Sequence, residues 1–280
     1  MRARWRRWKS RIMVGLLVVA AVLAVLPLLL ILGTLIVKGA GSINLDFFTR
    51  MPVPAGETGG GVAHAIVGTL MIVGTACLIG LPIGIGAGMF AAEWPASRIG
   101  IATRFIADVL NGTPSIVVGV FAWTWIVAKQ GHFSGLAGSA ALAVLMIPMV
   151  MRTTEEMIKL VPHSLREAAL ALGYPRWRTS LTVVVRTCLP GIVTGALLAV
   201  ARIAGETAPL LFTALGSQYL STNIQQPMAA LPLVVFTYAT GPYPEWHRLA
   251  WATALVLIFV VLILSIAARM ATRSRFDGPR

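Results

Sequence analysis

The sequence predicts an all-α integral membrane protein with about six transmembrane helices, and three observations carry that prediction. Of 280 residues, 57% are hydrophobic and 12% charged, a balance that no ordinary soluble domain keeps on its surface. Six long apolar stretches recur along the chain, and about 20 such residues cross a bilayer. The basic residues gather between alternate stretches, as they do where Lys and Arg are retained on the cytoplasmic side.

The first stretch, 12–37, follows the basic segment "MRARWRRWKSR". Its apolar run is too long for a signal peptide and has no convincing small-residue cleavage site before "KGAGS", so it is expected as a retained span. The polar, turn-rich loop 39–61 ends in "PAGETGGG" and separates this span from a block of five at 62–92, 105–128, 136–151, 191–214 and 249–271. The chain accordingly divides into 1–62, a permease-like membrane domain at 63–272 containing a charged loop at 152–190, and a basic tail at 273–280. In the second span Gly80, Gly84 and Gly88 recur every four residues and line one helical face for close packing. The third contains "NGTPSIVVGVFAW", in which Pro114 either kinks a helix structurally or interrupts it along a substrate path.

Six spans with both termini inside place the basic N-terminus, Arg98 and Arg104, the 152–190 loop and the C-terminal tail in the cytoplasm. Only Lys38, Arg50, Lys129 and Arg248 stand opposite. The net charge of +13 is thereby explained by topology and lipid headgroups, with no nucleic acid as partner. Cys77 and Cys188 fall in or beside spans and read as packing residues, and the four histidines lack metal-ligand spacing. The sequence contains no catalytic constellation, and neither a metal nor a cofactor is expected.

The stretch "SLREAALALGYPRWRTS" at 164–180 is strongly helical. Ser164 and Glu167 have capping-box spacing, so a helix is expected from Leu165, with Leu165, Ala168, Ala169 and Leu172 on one apolar face and Gly173 as its stop. At about 12 Å it is too short to stand alone. The pattern admits packing within the chain or docking to a separate protein. No G-x-x-x-x-G-K-[ST] loop is present, so any ATP is bound elsewhere, although an ion-driven carrier would also lack that loop.

"AVARIAGETAPLLFTA" sets Arg202 and Glu206 four residues apart inside the fifth span, where an ionised side chain costs about 2.5–3.5 kcal/mol. They form either a self-neutralised structural pair or an ionic site on a solvent-filled path. Counted from Pro190, Arg202 is expected about 18 Å along its helix. The arginine fork suits a phosphate-like oxyanion. Arg152 is a second cation for the same path or a snorkelling residue.

"EAALALG", followed by "LPGI" at 189–192, resembles the EAA signature of bacterial ABC importer permeases. The resemblance implies a type I permease fold in the bacterial inner membrane, with Glu167, Ala168, Ala169, Leu172 and Gly173 in a coupling helix seated in a groove of a cytoplasmic ATPase. "ARIAGETAPLLFTALG", "PSIVVGVFAW" and "IPMVMRTTEEMIKLVP" are similar to the phosphate-importing members of that family. That similarity implies Arg152, Arg202 and Glu206 in the phosphate path. The implied partners are a second, unlike permease subunit, two ATPase copies, an extracytoplasmic phosphate-binding protein and membrane lipid. "GYPRW" departs from the usual sequence after the motif and leaves the docking contacts open. Import of molybdate, sulfate or phosphonate is the nearest alternative. An ion-driven carrier is a more distant one.

Overall fold

The computed structural model describes residues 2–273 apart from 55 and 58, so the expected basic tail lies almost wholly outside the described residues. The described chain is helical throughout: α1 (Arg2–Gly39), α2 (Leu45–Thr49), α3 (Ala63–Glu93), α4 (Arg98–Gly112), α5 (Ser115–Gln130), α6 (Gly135–Lys159), α7 (His163–Ala171), α8 (Arg176–Ala204), α9 (Ala208–Thr213), α10 (Leu231–Thr240) and α11 (Pro244–Arg273). Five of these are long and apolar enough to cross a membrane, and α4 with α5 makes a sixth, broken span.

Glycine and small residues decide how the spans meet. A Cβ on Gly84 would lie 2.8 Å from Val150 Cβ, and one on Gly88 would lie 2.5 Å from Met151 O, so the glycine stripe of α3 faces α6 as expected. Gly80 meets Met146, Gly84 meets Val150 and Gly88 meets Thr154, an order that makes α3 and α6 parallel. The α4–α5 segment between them therefore returns across the bundle. Helix α8 runs antiparallel to α6, with Gly191 against Met157 and Gly195 against Thr153. The shared core contains Ile72, Leu142, Met146, Ala199, Ile203 and Leu210. Cys77 packs on this core, and Cys188 is buried in a second one with Ile158 and Ile192, as their reading as packing residues requires.

Helix α6 is the hub, with 61% of its apolar window covered, whereas the corresponding window of α1 is wholly uncovered. Only the far end of α1 packs, where Leu35 is buried and Gly39 abuts the Trp251 backbone of α11. The end of the bundle marked by Glu93, Lys159 and Arg176 is called the basic end below.

Two expectations are corrected and an open one is decided. At Pro114 the third span is interrupted and not merely kinked, because α4 and α5 meet at 104° across Thr113 and Pro114. Proline has no N–H and forces the preceding Thr113 into an extended conformation, φ −77° and ψ 129°, so the helix stops there. The fifth span is not 191–214. It starts fifteen residues earlier at Arg176, passes a π-turn at Ser180–Val184, and ends at Ala204, with Gly205–Thr207 breaking the chain before α9. Helix α10 has no counterpart among the expected spans, since ten residues opening on Leu231-Pro232 fall below spanning length.

The loop between α9 and α10 folds over the end of the bundle opposite the basic end. Gly135 N–H donates to Gln226 O at 3.0 Å and Leu136 N–H to Ile224 O at 2.8 Å, while Ser134 Oγ accepts from Ala137 N–H. The first amides of α6, which no helical carbonyl can reach, are satisfied in this way.

Candidate translocation site and coupling helix

Helix α7 is the expected coupling helix, but it begins differently. It spans His163–Ala171 with Pro162 as N-cap and no capping side-chain bond, so the Ser164–Glu167 capping box does not form. Pro162 enters with φ −56°, a value its ring fixes, and starts the helix without that bond. The stop is as expected. Gly173 has φ +83°, its N–H donates to Leu170 O at 2.9 Å, and Tyr174 N–H reaches back to Ala169 O at 3.2 Å. These two bonds close the helix end in a Schellman arrangement, whose left-handed residue favours glycine.

Of the apolar face, only Ala169 is buried by the chain itself. Leu172 is 79% exposed, and Leu165, Glu167 and Ala168 are also on the outside. The flank beside Ala169 is anchored: Arg166 Nη1 pairs with Glu93 Oε1 at 2.5 Å and Nη2 donates to Ile158 O at 3.3 Å. The short helix is thus tied to the ends of α3 and α6 while its motif face stays open.

Arg202 occupies the last turn of α8, and Glu206 follows in the break, where its N–H donates to Ile203 O at 3.2 Å. Their side chains approach to only 3.9 Å, and that of Arg202 is 63% exposed. The helix starts at Arg176, so the count from Pro190 does not measure Arg202's height. Packing does: Gly195 lies against Thr153, and seven residues further, about 10 Å, brings Arg202 level with the middle of α6.

Arg152 does not join this pair. It lies about 10 Å nearer the basic end and is engaged by two carboxylates. Its Nε donates to Asp108 Oδ1 at 3.1 Å, its Nη2 also pairs with Asp108 Oδ1, and its Nη1 reaches Glu155 Oε2 at 3.3 Å. Glu155 is 1% exposed and is the centre of a larger cluster, because Oε1 also receives Arg104 Nε at 2.6 Å and Lys159 Nζ at 2.5 Å. Arg104 also donates through Nη2 to Ala91 O at 2.5 Å and through Nη1 to Pro95 O at 2.8 Å, which stitches the end of α3 to α4 and α6. A carboxylate this deep is tolerated because three cations surround it.

Residues 84–275 match the family described as the binding-protein-dependent transport system inner membrane component. The chain belongs to this family. The phosphate transport system permease protein PstA of Yersinia pestis is 48% identical over 267 residues, which cover 95% of this chain and 90% of the relative. Its counterpart from Haemophilus influenzae is 46% identical over 271 residues, 96% of each chain. Among solved structures, a chain of a bacterial alginate ABC transporter superposes with TM-score 0.68 at 14% identity, covering 98% of both chains. A chain of the MetNI methionine ABC transporter gives TM-score 0.64 at 20% identity, over 76% of this chain and 95% of that one. Such identities speak for the fold, which is that of ABC importer permeases.

As an inner membrane component of a binding-protein-dependent transporter, the chain is a permease subunit and not itself the catalytic one. Membership implies an ATPase and a substrate-binding protein as partners. Within this permease, sequence reasoning missed Glu155, Asp108, Arg104 and the anchoring role of Arg166. Part of the signal was available: Arg152, Glu155 and Lys159 have i, i+3 and i+7 spacing and share one helical face. The pairings to Asp108 and Arg104 cross between helices, and no spacing rule reports those.

Proposed function

We infer that the chain is the membrane subunit of an ATP-driven importer of inorganic phosphate, with both termini and the basic end in the cytoplasm. It forms half of a translocation path completed by a second, unlike permease subunit. Two ATPase copies bind at the coupling helices, and an extracytoplasmic phosphate-binding protein delivers substrate at the opposite end. In the domain division that follows, 63–272 is the permease domain, 152–190 its coupling loop, and 1–62 and 273–280 are flanking segments.

The observation that carries the reading is Arg202. A guanidinium held level with the middle of the central helix, largely exposed and only loosely paired, can offer its planar fork to a tetrahedral oxyanion. Glu206, 3.9 Å away, can take the fork back as the anion leaves, which keeps residence short. The relatives named for phosphate transport support this choice of oxyanion. Mechanically, ATP-driven closure of the ATPases moves α7, and the Arg166 ties pass that movement to α3 and α6. The path then opens alternately to each side.

The test is ATP-dependent uptake of radiolabelled phosphate by the complete complex in vesicles, with sulfate and molybdate as competitors. Phosphate uptake that needs ATP and resists a tenfold excess of either competitor is expected. Uptake driven by a proton or sodium gradient without ATPase subunits would overturn the assignment. Gly173→Val, which strains a left-handed residue, is expected to leave ATP hydrolysis running while uptake falls about tenfold or more.

A further inference from the structure

The cluster around Glu155 contains a carboxylate whose placement differs from that of the others. Glu155 is buried and held by Arg104, Arg152 and Lys159, two of them on its own helix. Asp108 is 61% exposed, lies on α4, and among the described residues its ion pair is with Arg152 alone. Its Oδ1 takes both Nε and Nη2, the side-on edge of the guanidinium that a phosphate would otherwise use. Charge points the same way. The cluster sets three cations against two carboxylates, and withdrawing Asp108 leaves three against one, an excess suited to hydrogenphosphate.

We propose that Asp108 is an internal stand-in for the substrate: its carboxylate occupies the oxyanion seat on Arg152, and phosphate leaving Arg202 for the basic end must exchange with it. Glu155 and Arg104 are positioning residues in this scheme, because Nε, Nη1 and Nη2 of Arg104 are each engaged within the protein and Glu155 keeps Nη1 of Arg152 turned away from the seat. The side chain of Asp108 provides the means of exchange. It stands one turn beyond Arg104 on α4, toward the bend at Thr113 and Pro114, and being exposed it can swing off Arg152 while Arg104 keeps the helix tied to the buried Glu155. An exposed ion pair is weak enough to be displaced by a more highly charged anion. Arg152 is thereby never left without an anion, and phosphate is not retained at the exit. The proposal rests on the reading of Arg152 as part of the phosphate path.

The experiment uses the complete complex without nucleotide or binding protein, and measures equilibrium binding and release of radiolabelled inorganic phosphate. Asp108→Asn and Asp108→Ala are both made, because an exposed helical position accepts alanine without leaving a cavity. At least about fivefold tighter phosphate binding than wild type is expected in each. In coupled uptake KM and kcat should fall together, because release is slowed. Asp108→Glu should restore the wild-type affinity, and adding Arg152→Gln should abolish the gain. Unchanged or weaker binding in the Asp108 variants, with uptake lost in Arg152→Gln, would overturn the exchange but leave the path reading standing. Wild-type uptake by Arg152→Gln alone would remove the path reading and the exchange with it.

Discussion

Glu155 and Arg202 are both charged side chains inside a bundle of apolar helices, yet their surroundings are opposite. Glu155 is almost fully covered, receives three cations within 2.5–3.3 Å, and ties three helices together through Arg104 and Arg152. Arg202 sits at the end of α8, largely uncovered, with one carboxylate at 3.9 Å. The first arrangement satisfies a charge so completely that little remains for a ligand. The second leaves an exposed guanidinium with one distant carboxylate, at a cost in insertion that so loose a pair does not offset. Burial and partner count thus separate a fully satisfied charge from one with donors to spare where residue type does not.

The comparison breaks most readily at Glu155. Glu155→Ala leaves three cations facing an apolar hub, and a loss of about 3 kcal/mol is expected, as for removal of one partner from a buried ion pair. Thermal unfolding of the assembled complex checks it. A melting temperature equal to wild type would show that Glu155 is not the structural centre.

Arg202→Gln should do the reverse. Removing one charge-assisted contact to the passing anion, worth about 1.5–3 kcal/mol, corresponds to roughly 10–100-fold slower phosphate uptake. Its melting temperature should remain within about 2 °C of wild type, since the side chain supports no packing. If stability fell while uptake per folded complex held, Arg202 would belong with Glu155.

Arg104→Gln tests whether the stitching itself matters. It removes the bond to Glu155 and those to Ala91 O and Pro95 O, and about 1–2 kcal/mol of stability should go with them. Proteolysis at the α3–α4 turn near Pro95 should quicken accordingly. The smallest effect is expected from Glu206→Gln. A pair separated by 3.9 Å contributes about 0–1 kcal/mol to folding, so unfolding should barely change with or without salt. Any effect should appear instead as slower phosphate release in single-turnover transport.

Much of α7 was legible beforehand, because a helix stop is local chemistry: Gly173 takes the left-handed conformation that its lack of a side chain permits. Its start was misread for a related reason. Ser164 and Glu167 have the right spacing for a box, but Pro162 begins the helix two residues before that box would, and competition between two local signals is settled by geometry. Arg202 and Glu206 were visible as charges in an apolar run. That a helix ends between them, leaving Glu206 inside the break, was not, because Gly205–Thr207 interrupts a stretch whose hydropathy continues into α9.

Hydropathy, basic asymmetry and the glycine stripe are properties of consecutive residues, so the amino-acid order alone determined an all-helical membrane protein, the face of α3 that packs, and the place of the short charged helix α7. Tertiary structure decided which charges meet. Arg152 and Arg202 are expected on one path, and packing sets them about 10 Å apart along the bundle, with the fork of Arg152 filled by Asp108 from another helix. Electrostatic partners are chosen by distance in space, and distance between helices depends on crossing geometry that one-dimensional spacing does not contain.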